Sequence, residues 1–167
     1  MGNEAKHPGM IVLTNDPYNA EPTPELLRQS FLTPVDLFYI RNHGPIPQID
    51  AESFRLIVDG LVQRPLSLSF DALRRDFPHV TVTATLECAG NRRQELIDVA
   101  EIPGETPWNI QAIGNATWGG VPLREVLAAA GVSTEAQHIA FVGLDSVKKA
   151  DGGGFGGSIP LEKAMHP

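Results

Sequence analysis

A single cysteine, Cys88, is all the thiol chemistry in this sequence, which excludes an internal disulfide framework and any zinc site built on several thiolates. Aromatic residues are few, at 7 %, and no apolar run approaches the ~20 residues that a membrane-crossing helix needs. The opening Met1-Gly2-Asn3-Glu4-Ala5-Lys6-His7 lacks the apolar stretch of an export signal, so a cytoplasmic compartment and no membrane contact are expected. Positive charge is also scarce: 13 Lys and Arg stand against 20 Asp and Glu, a net charge of −7. Such a chain has no accumulated positive field for nucleic acid or an anionic bilayer, so neither is an expected partner and any anion site must be local. The five histidines, His7, His43, His79, His138 and His166, show none of the paired helical spacings of a zinc hydrolase.

What is present suits a globular protein. The 167 residues are 42 % hydrophobic and 20 % charged, enough for one domain with a core, and no internal repeat or linker divides them. The 16 glycines and 14 prolines are well above average usage and imply much turn and loop backbone, where sites are often carried. Residues 1–22 are polar and turn-rich and are expected to be irregular, with one α+β domain of mixed sheets and short helices over 23–167. Thr23 is placed to cap a short helix whose first turn holds Pro24. Pro34, Pro45 and Pro47 make 31–50 irregular, with Phe38 to His43 in a loop. Ser53 to Val62 alternates like a strand, with Leu66-Ser67-Leu68 returning beside it. A helix over Ser69–Asp76 should end before Pro78. In the clearest strand, Val80, Val82, Ala84, Leu86 and Cys88 share one parity and Thr81, Thr83, Thr85 and Glu87 the other. Pro122 to Ala130 reads as a helix closed by Gly131, and His138 to Leu144 as a buried strand ending at Asp145. Asp151 to Gly157 is a glycine loop without the Lys-Ser/Thr ending of a phosphate-binding loop, followed by a helix over Ser158–Met165 around Pro160.

Cys88 closes a strand and opens a glycine-containing turn followed by Arg92 and Arg93. Neighbouring guanidinium groups favour a thiolate, and a thiolate binds a soft or high-valent metal. The alternative is a small buried apolar residue on the core face of its strand. Arg41, Arg92 and Arg93 with His43 form a candidate basic cluster, since arginine's planar fork captures sulfate-like or phosphate oxygens in pairs. Against that stands ordinary surface pairing of each arginine with a carboxylate. Trp108 and Trp118 fall in segments read as loops, either as packing residues or as an aromatic wall beside an anion pocket.

Four ordered motifs carry a resemblance. They are Phe38-Tyr39-Ile40-Arg41-Asn42-His43-Gly44-Pro45-Ile46-Pro47, Val82-Thr83-Ala84-Thr85-Leu86-Glu87-Cys88-Ala89-Gly90-Asn91-Arg92-Arg93, Ala112-Ile113-Gly114-Asn115-Ala116-Thr117-Trp118-Gly119-Gly120-Val121-Pro122-Leu123, and Gly143-Leu144-Asp145. In this order they resemble the sulfite oxidase family, which also contains the molybdenum domain of assimilatory nitrate reductase. The likeness covers about residues 31 to 167. It implies that Cys88 is the one protein ligand to molybdenum, whose other sulfurs come from the dithiolene of molybdopterin. It places Tyr39, Ile40, Arg41, Asn42 and His43 around the pterin and its phosphate, with Asp145 touching the pterin from a strand end. Arg41, Arg93 and Trp108 match residues of the family's anion pocket, so the implied catalytic set is Cys88, Arg41, Arg93 and Trp108.

The implied reaction is oxidation of sulfite to sulfate, with electrons passed to an external acceptor such as a cytochrome or oxygen. Nitrate reduction is the enzymatic alternative, since Arg92-Arg93 occurs in both branches. A truncated, inactive cofactor-binding fragment is the alternative from another class. Family members continue past Ser158-Ile159-Pro160-Leu161 through further pterin contacts and an active-site tyrosine into a β-sandwich used for dimerisation. The chain is therefore expected to be an incomplete domain of a parent that is a homodimer. No haem segment precedes residue 31, so a haem acceptor is expected on another protein.

Overall fold

A computed structural model describes residues 6–146 and 154–166. The elements in chain order are β1 (Met10–Asn15), β2 (Tyr18–Pro22), α1 (Pro24–Leu27), β3 (Leu56–Val58), β4 (Leu66–Leu68), α2 (Phe70–Asp76), β5 (Val80–Glu87), α3 (Arg93–Ile97), β6 (Ile113–Gly120), α4 (Leu123–Ala130), β7 (His138–Val142), β8 (Gly156–Pro160) and α5 (Leu161–Ala164), with a short 3-10 turn at Val35–Leu37. The strands pair as β1-β2, β3-β4, β5-β6 and β7-β8, giving the mixed α+β character expected from the sequence. Among the described residues no helix is long and apolar enough to cross a membrane. The chain divides into two compact units, one of residues up to Ile46 with Val82–Trp118, the other of Pro47–Thr81 with the residues from Gly119 onward.

In the first unit, the stretch expected to be irregular contains the antiparallel β1-β2 hairpin. The sequence gives no apolar alternation in β2 because two of the four residues it buries, Asn19 and Glu21, are polar. Asn19 is 1 % exposed and Glu21 0 %. Polar groups are buried at this depth only where hydrogen bonds replace water. Asn19 Nδ2 accordingly donates to Thr14 Oγ1 at 2.8 Å and to the Pro17 carbonyl at 3.0 Å. Thr23 caps α1 as expected, its hydroxyl accepting from the Leu26 amide. The loop that follows is anchored where Ile40 bridges Ala20, each donating its amide to the other's carbonyl. Trp118, read as a loop residue, lies in β6 and donates its indole N–H to the Ala84 carbonyl at 3.0 Å.

In the second unit, β3 pairs with β4 as expected, with Ile57 opposite Ser67, but it is shorter than the 53–62 stretch that alternates. Asp50 folds the chain first, accepting from the Glu52 and Ser53 amides at its side chain and the Phe54 amide at its carbonyl, and this turn delays the strand. Ser69 caps α2, which stops at the extended Phe77 before Pro78. Helix α4 buries Val126, Leu127 and Ala130 and ends on Gly131, whose φ of 69° is left-handed. Strand β7 is not buried as expected: Phe141 is 43 % and Val142 75 % exposed. Among the described residues β8 is its strand partner, joining it along one edge and leaving the faces open. Gly156 to Ser158, expected in the glycine loop and helix start, therefore belong to β8, and α5 begins only at Leu161 after Pro160. Asp151, Gly152 and Gly153 lie outside the described residues.

Gly131→Ala forces a Cβ into left-handed backbone and against Gln63, and we expect it to lower the unfolding free energy in urea by about 1–2 kcal/mol. Gly120→Ala, whose methyl meets nothing within 4 Å, serves as the control and should leave the urea midpoint unchanged or slightly raised.

Candidate active site

Cys88 is the first residue after β5, as expected, and is half-buried. It is therefore not the sealed core residue of the apolar alternative. The turn it opens is tied on one side to the segment Trp108–Ala112. The Cys88 amide donates to the Ala112 carbonyl at 2.9 Å, and the Ala112 amide returns a bond to Asn91 Oδ1 at 3.0 Å. Farther along, the Arg92 amide donates to the Asn109 carbonyl at 2.5 Å and the Gln94 amide to the Trp108 carbonyl at 2.9 Å. Asn91 also donates to Glu87 Oε1, which holds the turn from its strand side.

The two consecutive arginines have different fates. Arg92 takes the left-handed conformation at φ 67°, and its side chain turns to solvent, where Glu95 accepts both Nε and Nη2. That is the ordinary surface pairing. Arg93 instead folds back over Gly90, where any added Cβ would strike its guanidinium. It donates to the Thr106 carbonyl at 2.9 Å and pairs with Glu105 at 3.2 Å, its side chain only 19 % exposed. A glycine at 90 is thus what lets a guanidinium lie across the cysteine turn.

Arg41 and His43 are joined directly, Arg41 Nη2 lying 2.9 Å from His43 Nδ1. Arg41 also donates to the Asn42 carbonyl and, at 3.5 Å, to Asn19 Oδ1. The same Asn19 oxygen accepts the Asn42 amide at 2.7 Å, and Asn42 Nδ2 donates to the Tyr18 carbonyl. Among the described residues Arg41 makes no ion pair. Tyr39 links this loop to the cysteine turn. Burial, then the charges of Cys88 and Glu87, hold its hydroxyl above the ordinary tyrosine range, and its ring meets that of Trp108 edge-on at 6.1 Å.

Trp108 is 0 % exposed, so it is a buried residue beneath Tyr39 and not an open wall. Its indole N–H has no hydrogen-bond partner among the described residues, and Glu21 Oε2 and Gln111 Oε1 share that condition. Asp145 belongs to the other unit, where its Oδ1 accepts the Phe155 amide at 3.0 Å. The expected loop residues Tyr39 to His43, Cys88, Arg93 and Trp108 all fall in the first unit. Sequence reading missed Asn19, Glu21, Asn91 and Asn109, the polar residues that hold them. The one signal available was a polar pair two residues apart, Asn19 and Glu21, inside a segment taken as irregular.

No group of three or more His, Cys, Asp or Glu is placed to hold a metal ion among the described residues. A metal on Cys88 must therefore bring its other ligands with it. The model of the oxidoreductase molybdopterin binding domain matches residues 43–167. The chain is similar to a sulfite oxidase of Gallus gallus, with 50 % identity over 99 % of this chain and 36 % of that protein. It is similar also to a nitrate reductase [NADH] of Phaseolus vulgaris, at 40 % identity over 98 % of this chain and 19 % of that one. Among solved structures it matches the sulfane dehydrogenase SoxCD from Paracoccus pantotrophus with a TM-score of 0.69 and 28 % identity, covering the whole of this chain and 39 % of that one. The chain thus spans about a third of the length of the sulfite oxidase it matches.

Tyr39 is one of two tyrosines, so its ionisation is open to measurement. Its raised pKa favours the protonated phenol in the folded state, so fold stability should fall as pH rises through and above the ordinary tyrosine value of about 10. Absorbance at 295 nm, titrated for the natural chain and for Tyr39→Phe, should differ by a component centred above pH 10; a difference curve centred at or below that value would refute the assignment.

Proposed function

Because the chain belongs to the family of oxidoreductase molybdopterin binding domains, we propose that it holds a molybdenum-molybdopterin cofactor through Cys88 and serves the oxidation of sulfite to sulfate. The observation that supports this reading above the others is the half-buried thiol at a strand end, in a turn fixed by backbone hydrogen bonds with the Arg93 guanidinium folded across it. The residues fit the group. One soft donor suits a metal whose remaining sulfurs arrive with the pterin. The unpartnered buried N–H of Trp108 is a donor in need of an acceptor, a condition that polar interiors rarely leave standing.

When bound, the molybdenum centre supplies two-electron redox chemistry coupled to oxygen-atom transfer, the part of the work that belongs to the cofactor. The chain's own groups supply position and field. Arg41, without a carboxylate partner among the described residues, attracts and orients a small oxyanion or a phosphate. Arg93, folded over Gly90 and paired with Glu105, offers a guanidinium to an anion bound at the cysteine turn. Tyr39, its phenol kept protonated by burial and by the charges of Cys88 and Glu87, adds no negative charge to the site. The loop Tyr39-Ile40-Arg41-Asn42-His43 is assigned to the pterin and its phosphate, its backbone set by Asn19 and Ala20.

Sulfite is preferred to nitrate because the likeness to the sulfite oxidase is the greater. A cytochrome-type acceptor and a homodimeric parent complete the proposal. Molybdenum determined by elemental analysis on the chain, produced in a host that makes the cofactor, should come to about one per chain and fall at least about tenfold in Cys88→Ser, since serine is a poor substitute for a thiolate on this metal. The loaded protein should then reduce an acceptor with sulfite and leave nitrate unchanged. Absence of metal from the natural chain would overturn the binding assignment, and metal without sulfite turnover would overturn the substrate.

A further inference from the structure

Glu21 is a buried carboxylate that the proposed chemistry does not use. It is 0 % exposed and makes no ion pair among the described residues. Its Oε1 accepts two bonds from one residue: the Asn109 backbone amide at 3.0 Å and the Asn109 side-chain amide at 2.6 Å. Its Oε2 has no partner among the described residues. Burying a carboxylate is costly unless its bonds are needed, so what those bonds hold is the informative point.

Asn109 stands in the middle of the segment that ties down the cysteine turn. Its own carbonyl accepts from Arg92, that of Trp108 before it accepts from Gln94, and Ala112 after it bonds Cys88 and Asn91. Strand β2 thus grips Asn109 from one side while the turn carrying Cys88 hangs from the other. We propose that Glu21 is a positioning residue for the candidate site: by fixing Asn109 it fixes the Trp108–Ala112 segment, and through that segment the place of Cys88 and of Trp108. The inference rests on the assignment of Cys88 as the metal ligand, and it adds to that assignment a residue before the 43–167 span that the family model matches.

Because Cys88 is the only cysteine, its rate of modification by a thiol reagent on the metal-free chain reads this turn alone. Loss of a hydrogen bond to a charged group should open the turn locally. Glu21→Ala is expected to speed modification by about tenfold or more. Glu21→Gln, which keeps an acceptor oxygen at the same reach, should stay within about threefold of the natural chain. Asn109→Ala, which removes one of the two bonds, should fall between them and stands in if Glu21→Ala does not fold. Gly131→Ala, brought in urea to the same fraction unfolded, controls for a merely structural loss of stability. The second readout is 19F resonance of fluorotryptophan at Trp108, assigned with Trp118→Phe, which should shift in Glu21→Ala and hold in Glu21→Gln.

The proposal is overturned if Glu21→Ala, or Asn109→Ala in its place, modifies no faster than the Gly131→Ala control, if Glu21→Gln is as fast as Glu21→Ala, or if the Trp108 resonance does not move. All of these are measured without cofactor. A chain that fails to take up molybdenum would overturn the reading of Cys88 and leave the brace intact, while unchanged thiol kinetics in a chain that does bind metal would do the reverse.

Discussion

The thiol of the candidate site hangs on one strip of backbone, Trp108 to Ala112, against which the Cys88 turn is laced. Four hydrogen bonds run between them, three of backbone and one from Ala112 to Asn91 Oδ1. At a net value of about 0.5–1.5 kcal/mol each, they outweigh the exposed ion pairs Arg75–Asp76 and Arg92–Glu95, which water screens. Charge pairing decorates this fold, and backbone pairing places its thiol. The turn bonds itself through the Asn91 and Arg93 amides, but it includes a left-handed arginine, and such backbone persists when neighbours over-determine it.

That explains which parts of the fold were legible in the sequence. Caps and turns announced themselves because their signal is local: Thr23 before Pro24, Ser69 before α2, Gly131 after α4. Strand β5 was legible because its alternation is strict. Strand lengths were less so, as at Asp50, where a side chain that folds back on the amides two and three residues ahead competes with extension. The β1-β2 hairpin announced only its first half, in the short apolar run Met10 to Leu13, because periodicity detects buried apolar residues and β2 buries Asn19 and Glu21. The burial of β7 was overestimated for the converse reason: an apolar run says that a strand is fit to be covered, not that something covers it.

The site shows the same division. Cys88 and the arginines stand out as candidates because their chemistry is written in their side chains, and the Tyr39–His43 loop because it lies in a motif that resembles a family's. The residues that orient them do not, because an asparagine or glutamate gives no sign in sequence of what it will hold. Asn19 serves two masters with one amide: its nitrogen closes the hairpin on Thr14 and Pro17, and its oxygen receives Asn42 and Arg41. Such a residue carries information between a strand and a loop 22 positions away, a distance no local pattern spans.

The difference between Arg41 and Arg93 follows from these supports and bears on how an anion enters. Arg93 is neutralised in place, its guanidinium shared between Glu105 and the Thr106 carbonyl. An oxyanion approaching it must compete with a carboxylate that is itself 46 % exposed and so pays little to be released into water. Arg41 has only neutral partners among the described residues: an amide oxygen, a carbonyl and an imidazole nitrogen. These orient a guanidinium without cancelling its charge. In a chain of net charge −7, an uncompensated arginine held by dipoles attracts a small anion. In the proposed site, recruitment falls to Arg41 and confinement to Arg93 once Glu105 yields, a division set by whether the nearest acceptor carries a charge.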